Sequence, residues 1–310
     1  MLPRPHLHFT RHLISSTNPK VHLAINTYHP PLPPSPQPNP PHKLSLILTH
    51  ATSLHKELWE PIISHLLHSH VAPTIHAIHT WDLRGHGDSS VDQDALAKGK
   101  LDWMDLARDL GAIMDWVKER DGKVSLVGIG HSIGGAATLG LQIFNPTFSA
   151  ILAIEPVIWT DEVLKLRYGA DANLDETAPD DLVNNALRRK ASFDSREELF
   201  KYLKQKPFFS TWTDAALQIY MVVMEGIAIQ TQRIDSLKDD DDGFTHPPTS
   251  PTPLTLKCSP KSEAVTFAGG ATSRYIYSRL PEVTVPVRML AGRKSYMAHP
   301  NFAAPGETGL

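Results

Sequence analysis

The stretch that most constrains the fold of this chain is residues 124–137. An apolar run of β type stops at Gly130, and a run of small residues suited to a helix begins a few positions later. The pattern between them is G-x-S-x-G, a sharp strand-to-helix turn that raises one serine above the edge of a sheet. Glycine at Gly130 and Gly134 avoids the collisions that side chains would make there. The pattern predicts a nucleophilic Ser132, with the N–H of Ile133 facing a developing oxyanion.

Length, charge and cysteine content exclude several classes of protein. A chain of 310 residues can bury one large α/β core or two small ones. The net charge of −3 and the lack of a basic cluster with interleaved aromatics argue against a nucleic-acid partner. A single cysteine, Cys258, fits a reducing compartment. No apolar run approaches the length of about 20 residues that a membrane helix needs, and no secretory signal is recognisable, so we expect a soluble intracellular protein.

Predicted strands alternate with predicted helices over residues 40–160, which indicates a doubly wound, mostly parallel sheet of the α/β class. The predicted strands are Val21–Thr27, Leu44–Leu48, Ile75–Trp81, Val124–Ile129, Ser149–Ile154 and Val283–Ala291. The predicted helices are 56–68, 101–120, 136–144, 182–190, 195–204 and 213–226. We expect an N-terminal strand and proline-rich loop over 1–41, a core over 42–160, a helical cap over 161–280, and a last core strand with an irregular C-terminus over 281–310.

The loop after the predicted strand Leu44–Leu48 is a candidate for the second oxyanion donor. It reads His50-Ala51-Thr52, between a strand and a helix. We expect the backbone N–H of Thr52 to be the donor and His50 to shape the loop. An ordinary strand-to-helix turn is the alternative.

A second loop carries the pattern D-x-R-G-x-G after the predicted strand Ile75–Trp81. Gly85 and Gly87 permit a tight turn, while Asp82 and Arg84 can tie neighbouring loops by charge-assisted hydrogen bonds. We expect a structural loop; a catalytic Asp82 is the alternative.

Together these three loops resemble the α/β-hydrolase superfamily. Within it, the chain resembles the fungal hydrolases associated with toxin biosynthesis, through His-Lys-Glu-Leu-Trp-Glu-Pro at 55–61, Ile-Glu-Pro-Val-Ile at 154–158, and Leu-Lys-Cys at 256–258 before Glu263. The resemblance implies a sheet of α/β-hydrolase type, a helical cap over the pocket, a small acyl metabolite as substrate, and a peroxisomal setting. The last three residues, Thr-Gly-Leu, are not a peroxisomal address.

The acid and the base of a catalytic triad are harder to find than the nucleophile. In the superfamily their order is nucleophile, acid, histidine. Arg293-Lys294-Ser295, at the usual acid position, carries no carboxylate, so we predict Glu155 at the alternative position; a purely structural Glu155 remains open. His299 is the candidate base, and His131 is not. The alternative is that the chain ends before the last strand and helix of the superfamily, with its histidine.

The sequence therefore predicts a serine hydrolase that acts on an ester, thioester or related acyl bond of a small molecule. A serine at the strand-to-helix turn of residues 130–134, called the elbow below, argues against the related epoxide hydrolases and haloalkane dehalogenases, which use an aspartate there. No metal-ligand spacing or phosphate-binding glycine loop is present, so no cofactor is expected. The alternative is a non-catalytic protein of hydrolase fold that binds a small molecule. The sequence does not indicate an oligomeric state.

Overall fold

The computed structural model describes residues 7–31, 43–171, 180–221 and 254–292. Most of the proline-rich loop predicted within 1–41 and the candidate base His299 lie outside these ranges. In the described residues, no helix is both long and apolar enough to cross a membrane.

The strands of the described ranges are β1 (Phe9–Ser15), β2 (His22–Tyr28), β3 (Leu44–Thr49), β4 (Ile75–Trp81), β5 (Ser125–His131), β6 (Ala150–Ile154), β7 (Ser192–Phe193), β8 (Leu254–Thr255) and β9 (Val287–Leu290). Strands β7 and β8 form a separate antiparallel pair. The other seven form one sheet in the order β1-β2-β4-β3-β5-β6-β9. Strands β3, β4, β5, β6 and β9 run parallel to one another, while β1 and β2 pair antiparallel at one edge. The predicted mostly parallel sheet is confirmed.

Helices follow most of the parallel strands and pack against the sheet. The long helix Trp103–Asp121 has Asp102 as its N-cap and buries one apolar face, from Trp103 to Val117. The α-helices are α1 (Glu60–Leu67), α2 (Gln93–Lys98), α3 (Trp103–Asp121), α4 (Ile133–Phe144), α5 (Asp161–Tyr168), α6 (Asp180–Leu187), α7 (Arg196–Lys204), α8 (Pro207–Ser210), α9 (214–221), α10 (Pro260–Ala268) and α11 (Thr272–Ser278). Short 3-10 helices cover Lys56–Trp59, Ala72–Thr74 and Leu280–Glu282.

The pairing register brings five loops to one edge of the sheet. Thr49 at the end of β3 pairs with Trp81 of β4 and with Gly130 of β5. His131 pairs with Ile154 of β6, which in turn pairs with Leu290 of β9. Because ligands of open α/β sheets bind outside the carboxyl ends of the strands, this edge is where a site is expected.

The described helices pack in three buried apolar clusters, one of which joins α1 to strands β3 and β4. The main cluster joins α3 and α4 to the sheet and includes Val265 of α10 and Ile276 of α11. A second cluster, the cap cluster, contains aromatic and aliphatic side chains of residues 193–221 packed on Ala51, Leu54 and Leu256. Residues 265 and 276 fall inside the predicted cap range but pack with the main cluster.

Several elements differ from the sequence-based predictions. Strand β1 was not predicted, because Phe9–Ser15 is a mostly exposed edge strand whose polar residues hide the β pattern. Helix α4 begins at Ile133, three residues before its predicted start, because the turn passes directly into helix. Strand β9 is shorter than predicted and begins at Val287, directly after Pro286, which has no backbone N–H to donate to a neighbouring strand.

Candidate active site

Ser132 lies at the turn between β5 and α4 in a strained backbone conformation. Its φ is 56° and its ψ is −121°, a region that residues with a Cβ rarely adopt. The backbone N–H of Ser132 donates to Ile154 O at 2.9 Å, and its carbonyl accepts from Gly135 N at 3.0 Å and Val157 N at 3.2 Å. The strained serine is thus fixed from both sides by backbone hydrogen bonds.

The two glycines of the G-x-S-x-G pattern leave room for this turn. A Cβ on Gly130 would lie 2.4 Å from Gly134 O, and a Cβ on Gly134 would lie 2.5 Å from Thr49 O. Both contacts are with backbone atoms, which cannot swing aside as a side chain can. Any other residue at either position must therefore displace β3, β5 or α4.

Residues 50–54, here called the oxyanion loop after the role predicted for Thr52, join β3 to the 3-10 helix beside the elbow. The loop turns tightly, with Leu54 N donating to Ala51 O at 3.1 Å, and Ser53 has a positive φ of 69°. Thr52 is half-buried in this turn. Ile133 is the first residue of α4, so its N–H has no partner within the helix. Since β3 and β5 are paired neighbours, Thr52 and Ile133 follow adjacent strand ends.

His50 fastens the oxyanion loop to the loop after β4. Its Nε2 accepts from the backbone N–H of Leu83 at 3.0 Å, which leaves the proton on Nδ1, and that nitrogen donates to Ala51 O at 2.8 Å. Burial lowers the pKa of His50 to about 3. A neutral imidazole with both nitrogens occupied cannot serve as the base for Ser132, and its contacts fit the predicted loop-shaping role.

Asp82 lies at the centre of a buried hydrogen-bond network. One carboxylate oxygen accepts from Lys56 N at 2.8 Å; the other accepts from Lys56 Nζ at 2.6 Å and Asp88 N at 2.9 Å. Gly87 has φ 56°, and a Cβ there would lie 2.0 Å from Asp82 Cγ. With both oxygens occupied by loop atoms, Asp82 holds its own loop and the start of the 3-10 helix.

Lys56 is a fully buried cation that sequence reasoning did not single out. Its ammonium also contacts Glu57 Oε1 at 3.0 Å and Asp88 Oδ2 at 2.6 Å. Burial alone would lower the pKa of Lys56, but the carboxylates of Asp82, Glu57 and Asp88 raise it above its ordinary value. Lys257 adds a second cation, 2.7 Å from Asp88 Oδ1. The 55–61 and 256–258 stretches quoted for the resemblance meet in this network; their separation in sequence gave no sign of the contact.

Arg84 ties the loop after β4 to helix α3. Its Nε and one terminal nitrogen bind the two oxygens of Asp109 at 2.6 and 2.7 Å, and both side chains are buried. Gly85, with φ 74°, turns the chain immediately afterwards. These contacts agree with a structural loop and bring no catalytic group to Ser132.

Glu155 lies at the end of β6, beside the elbow. With Ser53 and Ser132, it is one of three described non-glycine residues with positive φ, at 45°. Its backbone N–H donates to Leu290 O at 2.7 Å, and its Oε1 accepts from Gly292 N at 2.8 Å. Burial lowers the pKa of neighbouring His131, and the Glu155 carboxylate acts in the opposite direction. The structure therefore brings Glu155 and Ser132 to neighbouring strand ends.

The base of the predicted triad lies outside the described ranges with His299. No histidine in the described part of the chain hydrogen-bonds to the Ser132 hydroxyl. The same ranges contain no group of three or more His, Cys, Asp or Glu side chains placed to hold a metal ion.

Comparison with known proteins gives the family. The model of the alpha/beta hydrolase family matches residues 46–303. The type I acyl-CoA thioesterase mpaH of Penicillium brevicompactum is 31% identical over 165 residues, which cover 53% of this chain and 36% of that protein. The peroxisomal membrane protein LPX1 of Saccharomyces cerevisiae is 29% identical over 209 residues, covering 65% of this chain and 51% of that protein. The matched parts thus span about a third to a half of these curated relatives.

A solved structure supports the fold independently. The peroxisomal alpha-beta-hydrolase Lpx1 of Saccharomyces cerevisiae matches with a TM-score of 0.70 at 18% identity, covering 96% of this chain and 78% of that one. At this identity the likeness concerns the fold alone. Because the family match covers most of the chain, this protein belongs to the alpha/beta hydrolase family.

Proposed function

We propose that this protein is a serine hydrolase that cleaves an ester, thioester or related acyl bond of a small metabolite. The observation that carries the proposal is the backbone of Ser132, which is held at φ 56° by glycine clearance and backbone hydrogen bonds at the N-terminus of α4. A conformation that costs of order 1–3 kcal/mol persists where the surroundings enforce it, and such sites are often catalytic. A relative named as an acyl-CoA thioesterase supports a thioester substrate.

In the proposed reaction, the Ser132 hydroxyl attacks the carbonyl carbon and passes its proton to His299. The backbone N–H groups of Thr52 and Ile133 hold the oxygen that becomes negatively charged. The tetrahedral intermediate collapses as the alcohol or thiol leaves with that proton, and water then releases the acid from the acyl-enzyme. Glu155 orients the histidine and stabilises its charged form. Chain order is then nucleophile, acid, histidine, as in the superfamily.

The setting and the walls of the pocket are proposed on separate grounds. Relatives with peroxisomal names support a peroxisomal or cytoplasmic setting. The cap cluster packs Phe209 and Tyr220 together with Ala51 and Leu54 of the oxyanion loop. This contact supports a largely apolar, partly aromatic roof next to the acyl group.

The test is hydrolysis of a panel of acyl-CoA thioesters and p-nitrophenyl esters by the full chain, followed through the released thiol or phenol. The matched control is Ser132→Ala. We expect turnover of at least one class, with the variant reduced to the rate of buffer. Equal rates for wild type and variant on every substrate would contradict the proposal.

The second candidate function is non-catalytic binding of a small molecule. It is favoured by one observation: no histidine in the described ranges contacts the Ser132 hydroxyl. Turnover by the wild type separates the two candidates, because a non-catalytic protein hydrolyses nothing. His299→Gln then tests whether the hydrolase uses this histidine as its base. Hydrolysis that survives His299→Gln would remove His299 from the mechanism.

A further inference from the structure

Residues that have no part in the proposed mechanism also hold the oxyanion loop in place. Ser53 follows Thr52 directly and has φ 69°, which a serine adopts only when other contacts hold it there. Its contacts come from the 256–264 stretch, some 200 residues later in the sequence. The loop that carries the proposed Thr52 donor is therefore shaped by long-range contacts as well as by its own turn.

Glu263 of α10 is the main contact. The Ser53 hydroxyl donates to Glu263 Oε1, and both groups are at least half-buried. Glu263 Oε2 lies 2.6 Å from a terminal nitrogen of Arg189, so the carboxylate bridges a serine and a cation. Burial raises the pKa of Glu263, while Arg189 and the Ser53 hydroxyl favour its charged form.

Cys258 closes the contact from the other side. The thiol of Cys258 is buried beside the Ser53 backbone, which opposes the rise in its pKa that burial causes. The Cys258 carbonyl accepts from Arg189 at 3.1 Å. Ser53 is thus held through its hydroxyl by Glu263, and its backbone lies next to Cys258. Arg189 contacts both of these partners.

Arg189 belongs to the cap. It follows α6, and its guanidinium neighbours the buried Tyr220 of α9. The Tyr220 ring stacks on His55, just after the oxyanion loop, with ring centroids 5.6 Å apart. The cap therefore reaches the loop through the Arg189–Glu263 ion pair beside Ser53 and through the Tyr220 ring on His55, the residue after the loop.

From this geometry we propose that Glu263 is a positioning residue for the oxyanion hole, and that Arg189 couples the placement of the cap to the orientation of the Thr52 N–H. The inference rests on the proposed function, because it deepens the role of the same loop. A displaced cap would withdraw Arg189, leave Glu263 as an unpaired buried charge, and release Ser53 from its positive φ.

The first test compares Ser53→Ala with Ser45→Ala. Ser45 also donates a hydroxyl hydrogen bond to a carboxylate, Asp121, but at the opposite end of β3. Ser53→Ala should lower kcat about 10²-fold, the loss typical of a weakened oxyanion donor, while KM stays within about threefold. Ser45→Ala should lose similar stability and keep its kcat. Equal kcat in the two variants would overturn the proposal.

The second test places Ser53 and Glu263 in one unit. Glu263→Ala should lower kcat as Ser53→Ala does, and the double variant should lose no more than the larger single loss. Multiplied losses would mean that the two residues act separately. For the cap, Arg189→Met should lower kcat by leaving Glu263 unpaired, and adding Glu263→Gln should restore it to within about tenfold of wild type. No recovery would contradict the coupling.

A measurement that needs no turnover separates failure of this inference from failure of the proposed function. Amide hydrogen exchange of peptides covering 50–54 should speed up in Ser53→Ala and Glu263→Ala but not in Ser45→Ala. If the wild type hydrolyses nothing, the proposed function fails, but the exchange rates still test whether Glu263 holds residues 50–54 in place through Ser53. Unchanged exchange at 50–54 would overturn that positioning role, whatever the activity.

Discussion

Two neighbouring strand ends carry non-glycine residues with positive φ, and they are held in different ways. Ser132 has φ 56° after β5, and Glu155 has φ 45° after β6. A hydrogen bond joins the two strand ends, since Ser132 N donates at 2.9 Å to the carbonyl of Ile154, the residue before Glu155. Strained positions of this kind cluster at active sites, so both residues suit the roles proposed for them.

The elbow is fixed by its own short sequence. Gly130 and Gly134 remove the atoms that would collide, and α4 begins immediately at Ile133. Glu155, by contrast, depends on strand β9, through Leu290 O and Gly292 N. The side chain of Leu290 is 53% exposed, so this support lies at a thinly covered edge of the described structure. The proposed nucleophile is therefore positioned by local sequence, while the proposed acid is positioned by tertiary contacts.

The substitution that separates the two ends most strongly is Glu155→Gln. The amide oxygen can still accept from Gly292 N, so the fold should keep its stability, but the charge that stabilises a histidinium is lost. We expect kcat to fall about 10⁴-fold, as when the acid of a triad becomes an amide. Steady-state kinetics measures the fall in kcat, and a urea denaturation curve measures the stability. A loss below tenfold would leave Glu155 with a structural role only.

This comparison also shows which features could be predicted from the sequence. The elbow spans five residues, so its spacing alone predicted the turn, the helix and the two required glycines. The loop after β4 was likewise predicted as structural, because its glycines and charges lie close together in the chain. The distant partners of the loop after β4 and of the oxyanion loop could not be predicted. Lys257 contacts Asp88 across 169 residues, and Glu263 contacts Ser53 across 210. Hydrophobic periodicity and turn residues predict local helices, strands and turns. They do not predict which distant residues come into contact when α10 packs.

Gly130→Ala tests how tightly the elbow is determined. The new Cβ would meet Gly134 O at 2.4 Å, so we expect a loss of about 3 kcal/mol in the free energy of unfolding, as in overpacked cores. Gly111→Ala in α3 is the matched control, since its Cβ would lie 3.5 Å from Leu141. Urea midpoints measure both. Similar midpoints for the two variants would contradict the close approach at the elbow.

A pH series tests the buried support beneath the elbow. Burial lowers the pKa of His50 from 6.5 to about 3 in the folded protein. As the pH falls below 6.5, the unfolded chain binds a proton that the folded chain does not, so stability is lost toward pH 3. The expected slope is about 1 kcal/mol per pH unit from this histidine. His50→Gln should make the plot of unfolding free energy against pH less steep between pH 6 and 4.5. His70→Gln, at an exposed position, should leave that slope unchanged. An unchanged slope in His50→Gln would count against a neutral buried His50.

Ser132→Gly sharpens the comparison with the smallest effect. Glycine accepts φ 56° without strain, so the substitution should raise the free energy of unfolding by about 1 kcal/mol, reduced by the greater freedom of the unfolded chain. Ser132→Ala keeps the strain and serves as the reference. If the glycine variant were no more stable than the alanine variant, the elbow would not be strained in solution.

The most direct measurement is reaction of the full chain with a fluorophosphonate, followed by intact mass and peptide mapping. The phosphonyl group bonds to an activated serine oxygen as fluoride leaves, so it reports the nucleophile without any knowledge of the substrate. We predict one adduct per chain, mapped to Ser132, absent in Ser132→Ala and strongly slowed in Glu155→Gln. A chain that folds with the expected melting curve and yet gives no adduct at Ser132 would contradict the proposal that this elbow carries a working nucleophile.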